Sequence, residues 1–111
     1  MKSYHPAVED MRLAIEALVT GLGSVRARLQ AAEPHFGVVC ESKMRTPAEE
    51  HLRLRIGSGL VEGGNEGEEI DVAESIALLD ETRAVEIAGD MLRFYELLAG
   101  VRTDDGYMFS E

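Results

Sequence analysis

The first third of the chain carries apolar residues at alternating spacings of three and four. This spacing keeps one side of an α-helix apolar, and its period of seven is that of a coiled-coil seam. Pro6 suits the first turn of a helix, and Pro34 is a residue at which a helix commonly ends. The sequence therefore predicts one long helix with an apolar seam of Val8, Met11, Ile15, Leu18, Leu22, Val25 and Leu29.

Two glycines interrupt this segment. Each of Gly21 and Gly23 costs about 1 kcal/mol relative to alanine inside a helix. The apolar phase is the same on both sides of them, and the prediction therefore keeps a single helix, with Gly23 as a candidate bend. Ala7, Ala14 and Gly21 lie seven residues apart beside the seam, so a partner helix can approach closely on that flank.

The C-terminal half repeats the pattern, since apolar positions from Ile70 to Val101 again alternate by three and four, apart from Asp80. A second apolar stripe lies on another side of this predicted helix and consists of Leu78, Val85 and Leu92. A helix that is apolar on two sides must be covered on two sides. The first helix can cover one side only. The second side is therefore predicted to meet the middle segment or a second copy of the chain.

Asp80 allows two interpretations. It is either a polar seam position that pairs with an arginine such as Arg12, Arg26 or Arg83, or the N-cap of a separate last helix. The sequence does not separate the two.

The middle of the chain contains a helix-start signal. Thr46 is suited to be an N-cap, Pro47 to be the first helical residue and Glu49 to close a capping box. Residues 52–56 instead alternate with period two, as a strand would, and could pair with residues 36–40 as a hairpin. The cap signal is the more specific of the two, so a short middle helix is favoured.

These elements predict an all-α fold: an antiparallel pair of long helices with a short middle helix and a Gly/Glu-rich loop. The alternative is an α+β fold with a small middle hairpin. The chain is expected to form a single helical domain over residues 1–111, with a mobile loop at 57–69 and a frayed tail at 103–111.

Composition agrees with helices packed on helices. The 111 residues are 45% hydrophobic but include only three Tyr, three Phe and no Trp, so the core must be mainly aliphatic. The single cysteine, Cys40, cannot form an internal disulfide. No apolar run approaches the length of a membrane span. The chain is expected to be cytoplasmic, without a membrane partner.

Charge is distributed unevenly along the chain. The formal net charge is −10, and residues 61–111 alone carry three basic and fourteen acidic side chains, a net of −11. Such a chain repels nucleic acid, so no direct nucleic-acid binding is expected. On the predicted last helix, Asp90 and Glu96 are the carboxylates best placed to form an acidic surface.

Motifs for chemistry are weak. The glycine-rich stretch lacks the Gly-Lys-Ser/Thr ending of a phosphate-binding loop. The three histidines do not have the i, i+3 or i, i+4 spacing of metal ligands on a helix. The strongest catalytic candidate is a middle cluster of Cys40, Glu49, Glu50 and His51. We therefore expect no catalytic activity, cofactor or metal.

The expected function is a non-catalytic protein-protein interaction or assembly module that self-associates, as a homo-oligomer, or docks on a partner protein. The alternative is an acidic inhibitor of the immunity, antitoxin or anti-defence type, which blocks a basic or nucleic-acid-binding protein surface. An enzyme or small-ligand binder is the third hypothesis.

Overall fold

The computed structural model describes residues 5–62 and 71–100, and within these ranges the chain forms five α-helices and no strand. The predicted all-α fold is confirmed. Residues 36–40 lie in a helix rather than a strand, so the hairpin alternative is wrong. The helices are α1 (Val8–Thr20), α2 (Val25–Cys40), α3 (Pro47–Leu60), α4 (Val72–Ala77) and α5 (Glu81–Leu98).

The N-terminal seam belongs to two helices, so the prediction of one long helix is wrong. Gly23 has a φ of 94°, in the left-handed region that glycine adopts without steric cost. The next residue, Ser24, is the N-cap of α2, and its hydroxyl accepts a hydrogen bond from the Ala27 N–H at 3.2 Å. Two glycines followed by a capping serine favour ending one helix and starting another.

Helices α1 and α2 pack against each other as a helical hairpin. Met11 of α1 and Leu29 of α2 are fully buried in the shared core. Across the turn, Arg28 Nη1 donates to the Leu18 carbonyl at 3.1 Å. The apolar phase continues through the turn because the two halves of the seam face the same core. Apart from Leu22 in the turn, the seam residues are therefore buried or partly buried within their own chain.

Pro34 lies inside α2, so the prediction that a helix ends there is wrong. An internal proline removes a helical hydrogen bond and costs about 3 kcal/mol. Pro34 is exposed, while the opposite side of α2 stays buried before and after it. Burial of that side offsets the cost, since each buried large side chain contributes about 1.5–3 kcal/mol. The buried residues of α2 are Leu29, Ala32, Phe36 and Val39.

Helix α3 begins as predicted. Thr46 Oγ1 accepts a hydrogen bond from the Glu49 N–H at 3.1 Å, and Pro47 is the first helical residue. Glu49 is almost fully buried, and its carboxylate accepts both the Arg45 N–H and Arg45 Nη2 at 2.6 Å. The predicted N-cap and first helical residue are therefore confirmed. Glu49 accepts the N–H of Arg45, the residue before the N-cap, whereas a capping box uses the N–H of the N-cap itself.

Helix α3 extends further than predicted, to Leu60, so the first four residues of the predicted loop are helical. Gly59 lets the C-terminal end of α3 pack closely on α5. A larger residue would not fit, because a Cβ added at position 59 would lie 2.9 Å from Ile87 Cδ1. The rest of the predicted loop from residue 63 onward, and the predicted tail at 103–111, lie outside the described residues.

The C-terminal half is divided at Asp80, which is the N-cap of α5. Its Oδ1 accepts a hydrogen bond from the Arg83 N–H at 2.8 Å. The N-cap interpretation of Asp80 is confirmed, and a single C-terminal helix is wrong. The short α4 is held on α2 by Arg26 Nη1, which donates to the Leu79 carbonyl at 3.1 Å, and by Gln30 Nε2, which donates to the Ala73 carbonyl at 2.7 Å.

Helix α5 lies at the centre of the fold and packs against α1, α2 and α3. Its inner side buries Ala84, Ile87, Met91, Phe94, Leu97 and Leu98. The N-terminal segment is tied to the far end of α5, because the His5 N–H donates to the Leu98 carbonyl at 2.6 Å. The outer side of the same helix is turned away from this core.

Candidate protein-binding face of α4 and α5

The predicted interface divides into a covered part and an exposed part. Met11 and Leu29 are fully buried, and Leu22 is 91% exposed in the turn between α1 and α2. The other seam residues, Val8, Ile15, Leu18 and Val25, pack partly buried against the core. As a continuous surface for a partner helix, the predicted seam is therefore wrong, because the α1–α2 hairpin closes on it.

The second predicted stripe is exposed. Leu78 is 69% exposed, Val85 54% and Leu92 45%. The sequence predicted that the middle segment or a second copy would cover this side. The middle segment does not, because α3 packs on the inner side of α5 through Gly59 and Ile87. The stripe is the part of the predicted interface that the folded chain leaves uncovered.

Small residues lie between the two large side chains of this stripe on α5. Ala88 and Gly89 follow Val85 by three and four residues, which places them beside it on α5, and Ala88 also packs partly buried against the core. A Cβ added at Gly89 would meet only Arg93 Nη1, at the ordinary contact distance of 3.6 Å. A helical glycine costs about 1 kcal/mol relative to alanine, and nothing inside the described chain requires one here.

We call the surface formed by Leu78, Thr82, Val85, Ala88, Gly89 and Leu92 the outer face. Acidic residues lie at both of its ends: Glu81 precedes Val85 by four residues, and Glu96 follows Leu92 by four. Both positions are therefore on the same side of α5 as the stripe. Glu81 is exposed and makes no ion pair with the residues that the structure describes, and Glu96 is half-buried.

The basic residues of α5 are engaged inside the chain. Arg83 Nη1 donates to Glu86 at 3.1 Å, and Arg83 Nε contacts Glu62 at 3.0 Å. Arg93 Nη1 donates to Asp90 at 2.8 Å. Across residues 71–100 there are seven acidic and two basic side chains, and both basic ones already have acidic partners. Of the two carboxylates at the ends of the outer face, Glu81 is exposed, whereas Glu96 makes an interaction within the chain.

Asp90 was predicted to belong to an exposed acidic surface, and this is wrong. It is only 3% exposed and accepts hydrogen bonds from Arg55 Nε at 3.0 Å and from Arg93 Nη1 at 2.8 Å. The position explains its burial: Asp90 follows Ile87 by three residues and precedes Phe94 by four, so it lies on the inner side of α5. The carboxylate joins α3 to α5 instead of facing a partner.

The remaining large exposed apolar side chains do not form a comparable stripe. Val19 and Leu22 lie near the turn between α1 and α2, Val38 lies on α2 and Leu54 on α3. Single exposed apolar residues are normal on protein surfaces. Val85 and Leu92 are distinguished by their spacing of seven on one side of α5, and Leu78 is exposed in the turn that precedes this helix.

The middle cluster around Cys40 forms an open groove between the end of α2 and the start of α3. Burial raises the pKa of the Cys40 thiol, and a hydrogen bond from Arg53 partly opposes that rise. The same Arg53 guanidinium lowers the pKa of the Glu50 carboxyl through a hydrogen bond. The groove is lined by Cys40, Ser42, Lys43, Met44, Arg45, Thr46, Pro47, Glu50 and Arg53.

This environment stabilises the thiol over the thiolate, whereas a nucleophilic cysteine needs the thiolate. Glu49 does not face the groove as a base, because it is buried and held by Arg45. His51 is exposed on α3 and does not line the groove. The structure therefore does not assemble the predicted cluster into a nucleophile with a base.

Within residues 5–62 and 71–100, no group of three or more His, Cys, Asp or Glu side chains is arranged to hold a metal ion. In the same ranges, no helix is both long and apolar enough to cross a membrane. The outer face is the candidate site that the described chain offers.

The sequence alone did not identify Thr82, Ala88 and Gly89 as members of the outer face, or Glu81 as the acidic residue at one end of it. Their spacing of three or four residues from Val85 is the signal in the sequence that indicates them. Comparisons with protein-family models, curated proteins and solved structures find no match for this chain.

Proposed function

We propose that this chain is a non-catalytic helical module that binds another protein through the outer face of α4 and α5. The observation that carries the proposal is the exposure of Val85 and Leu92 on the outer side of α5, whose inner side forms part of the core, together with that of Leu78 in the turn after α4. Each of these side chains contributes up to about 1.5–3 kcal/mol when it is fully removed from water. A protein partner is the means by which such a surface becomes buried.

The shape of the surface favours a protein over a small molecule. Small-molecule sites are concave and enclose most of their ligand. The outer face is instead the convex side of a helix, with small residues at Ala88 and Gly89. Helix-to-helix contact uses such a surface, because apolar residues spaced by three, four and seven meet the partner along one line.

An acidic inhibitor that blocks a basic protein surface is a special case of the same binding. Such an inhibitor could not bind its partner through Asp90, because Asp90 is buried between Arg55 and Arg93. Glu81 and Glu86 remain as candidate contact residues of the inhibitor, since both are exposed on α5. The inhibitor would present these carboxylates next to the apolar stripe rather than alone.

Site-specific photo-crosslinking tests the proposal. A photoreactive amino acid at position 85, in protein expressed in the cells of its source, is expected to trap a defined protein partner. Position 54 is the matched control, because Leu54 is 53% exposed and Val85 is 54% exposed, yet Leu54 lies on α3. The product is expected to disappear when Leu92→Glu is added.

No product at position 85, or the same product from positions 85 and 54, would remove the outer face as a binding surface. Mass spectrometry of the product separates a different protein from a second copy of the chain. Size-exclusion chromatography with light scattering then measures the oligomeric state of the wild type and of Val85→Glu.

A further inference from the structure

We propose that residues 71–79 form a strap that opens from α2 as a unit while the other helices stay folded. The strap consists of α4, its N-cap and the two residues that follow the helix. Two of its large side chains, Ile76 and Leu79, are buried in the core, and Val72 packs partly buried against it. Leu78 faces solvent. The strap is therefore attached to the core through one narrow side.

The backbone hydrogen bonds of the strap stay within it. The N–H of Ser75 donates to the carbonyl of Asp71 at 2.9 Å, and the N–H of Leu79 donates to that of Ile76 at 3.1 Å. Asp80 marks the boundary, because both its carbonyl and its side chain accept hydrogen bonds from α5. Among the residues that the structure describes, no backbone hydrogen bond crosses from the strap to another element. The strap can therefore open without breaking the backbone bonds of its neighbours.

Side-chain hydrogen bonds from α2 hold the strap in place. Arg26 Nη1 donates to the Leu79 carbonyl at 3.1 Å, and Gln30 Nε2 donates to the Ala73 carbonyl at 2.7 Å. The Gln30 bond is exposed to solvent, so water replaces it at little cost when the strap leaves. The ion pairs between elements of the described chain join α5 to α3 and to Glu62, and none of them includes the strap.

Ser75 opposes closure of the strap. Its side chain is 1% exposed, and its Oγ has no hydrogen-bond partner among the described residues. A buried hydroxyl without a partner loses its hydrogen bonds to water when the strap closes and regains them when the strap opens. Alanine would occupy nearly the same space without this penalty. The residue at position 75 therefore lowers the free energy of opening.

The length of α4 makes detachment and unfolding one event. The helix has six residues, and isolated helices shorter than about 12–15 residues are marginal in water. Helix α4 therefore depends on its contact with α2. Segments with few buried apolar contacts and solvent-exposed backbone hydrogen bonds open with a free energy below that of global unfolding.

Opening of the strap divides the outer face. Leu78 leaves with the strap, whereas Val85 and Leu92 stay on α5. A partner that contacts all three side chains binds the closed form better and shifts the equilibrium toward it. The strap thus controls whether the outer face is complete. This consequence rests on the proposed function, whereas the opening itself does not.

Native-state hydrogen exchange of the full chain tests the opening. The probes are the amides of Ser75, Leu78 and Leu79 in the strap and that of Phe94 in the interior of α5. Relative to their intrinsic rates, the strap amides should exchange at least about a hundredfold faster than Phe94. Their free energy of opening should change little as urea is added, because opening exposes little surface.

Three variants separate the strap from the rest of the fold. Ser75→Ala should slow exchange of the strap amides about tenfold, because it removes the unpaired hydroxyl. Ser58→Ala is the matched control and should leave their exchange unchanged, since Ser58 is exposed on α3. Gly59→Ala should speed exchange at Phe94 through the contact of α3 with α5. It should leave the strap amides unchanged, because that contact is the same whether the strap is open or closed.

Two results would overturn the inference. Strap amides with the same opening free energy and urea dependence as Phe94 would show that the strap opens only when the whole chain unfolds. Unchanged or faster exchange of the strap amides in Ser75→Ala would show that the hydroxyl does not oppose closure. All of these measurements use the chain without a partner. A missing crosslink at position 85 would therefore overturn the proposed function and leave the opening of the strap standing.

Discussion

Arg55 on α3 donates its Nε–H to Oδ2 of Asp90 on α5 at 3.0 Å. The acceptor side chain is almost completely buried, while about half of the arginine side chain is exposed. Arg93 donates to the other carboxylate oxygen at 2.8 Å. A carboxylate on the inner side of the central helix is therefore neutralised from two helices. This arrangement decides what each substitution in the trio should cost.

Removing both arginines should cost more stability than removing the aspartate. The double variant Arg55→Ala/Arg93→Ala leaves a buried carboxylate without a cation and should lower the free energy of unfolding by about 3–5 kcal/mol. Asp90→Ala leaves two arginines that can reach water and should cost about 1–2 kcal/mol. Urea denaturation measures both values.

The triple variant provides the control for this network. Adding Asp90→Ala to the double arginine variant removes the unpaired charge, so stability should partly return. If the triple variant were less stable than the double one, the carboxylate would not be the source of the loss.

Gly59 and Gly57 form a matched pair on α3. Gly59→Ala should lower the free energy of unfolding by about 1–3 kcal/mol, because its Cβ would lie 2.9 Å from Ile87 Cδ1 and overpack the contact with α5. Gly57→Ala meets no atom within 4 Å and should raise stability by about 0.5–1 kcal/mol through helix propensity. Thermal and urea denaturation measure both effects. Equal effects of the two substitutions would contradict the close approach of α3 to α5.

Asp80 gives a test of the division between α4 and α5. Asp80→Ala removes the acceptor of the Arg83 N–H bond at 2.8 Å and should cost about 0.5–2 kcal/mol. Asp80→Asn keeps an acceptor and should cost less. Denaturation curves of the two variants measure the difference, and an Asn variant as unstable as the Ala variant would show that the charge, not the cap, matters.

Cys40 should react slowly with alkylating reagents at neutral pH. Burial raises the pKa of its thiol, and only the thiolate is the nucleophile. The rate of iodoacetamide modification of the folded protein should therefore rise at a higher pH than that of the same protein unfolded in urea. Because the folded state holds the proton more tightly, stability should fall as pH rises above the pKa of the unfolded thiol. The prediction would be contradicted if the modification rate of the folded protein rose at a lower pH than that of the unfolded protein.

Local signals in the sequence were sufficient for several elements of the fold. Thr46, Pro47 and Glu49 predicted the start of α3 because capping depends on side chains within one helical turn. The aliphatic composition and the apolar spacing predicted helices rather than sheets. The stripe of Leu78, Val85 and Leu92 was predicted as a second apolar side and Glu96 as an acidic residue of the last helix, whereas Glu81 and the small neighbours were not.

Other features could not be predicted, because a periodic pattern does not identify its partner. The seam from Val8 to Leu29 keeps one phase whether it belongs to one helix or to a hairpin that closes on itself. Pro34 predicts the end of a helix. Helix α2 nevertheless continues to Cys40, because Phe36 and Val39 beyond the proline are buried in the core.

The sequence by itself determined that this protein is helical, where α3 begins, and that the C-terminal half is apolar on two sides. These properties follow from interactions within a few residues, whose geometry the helix fixes. Only the tertiary structure decided that the seam is covered by its own chain, that Asp90 faces inward to Arg55 and Arg93, and that the stripe on α4 and α5 stays exposed. Those outcomes depend on which helices fill the limited space around α5, and that competition involves residues far apart in the chain.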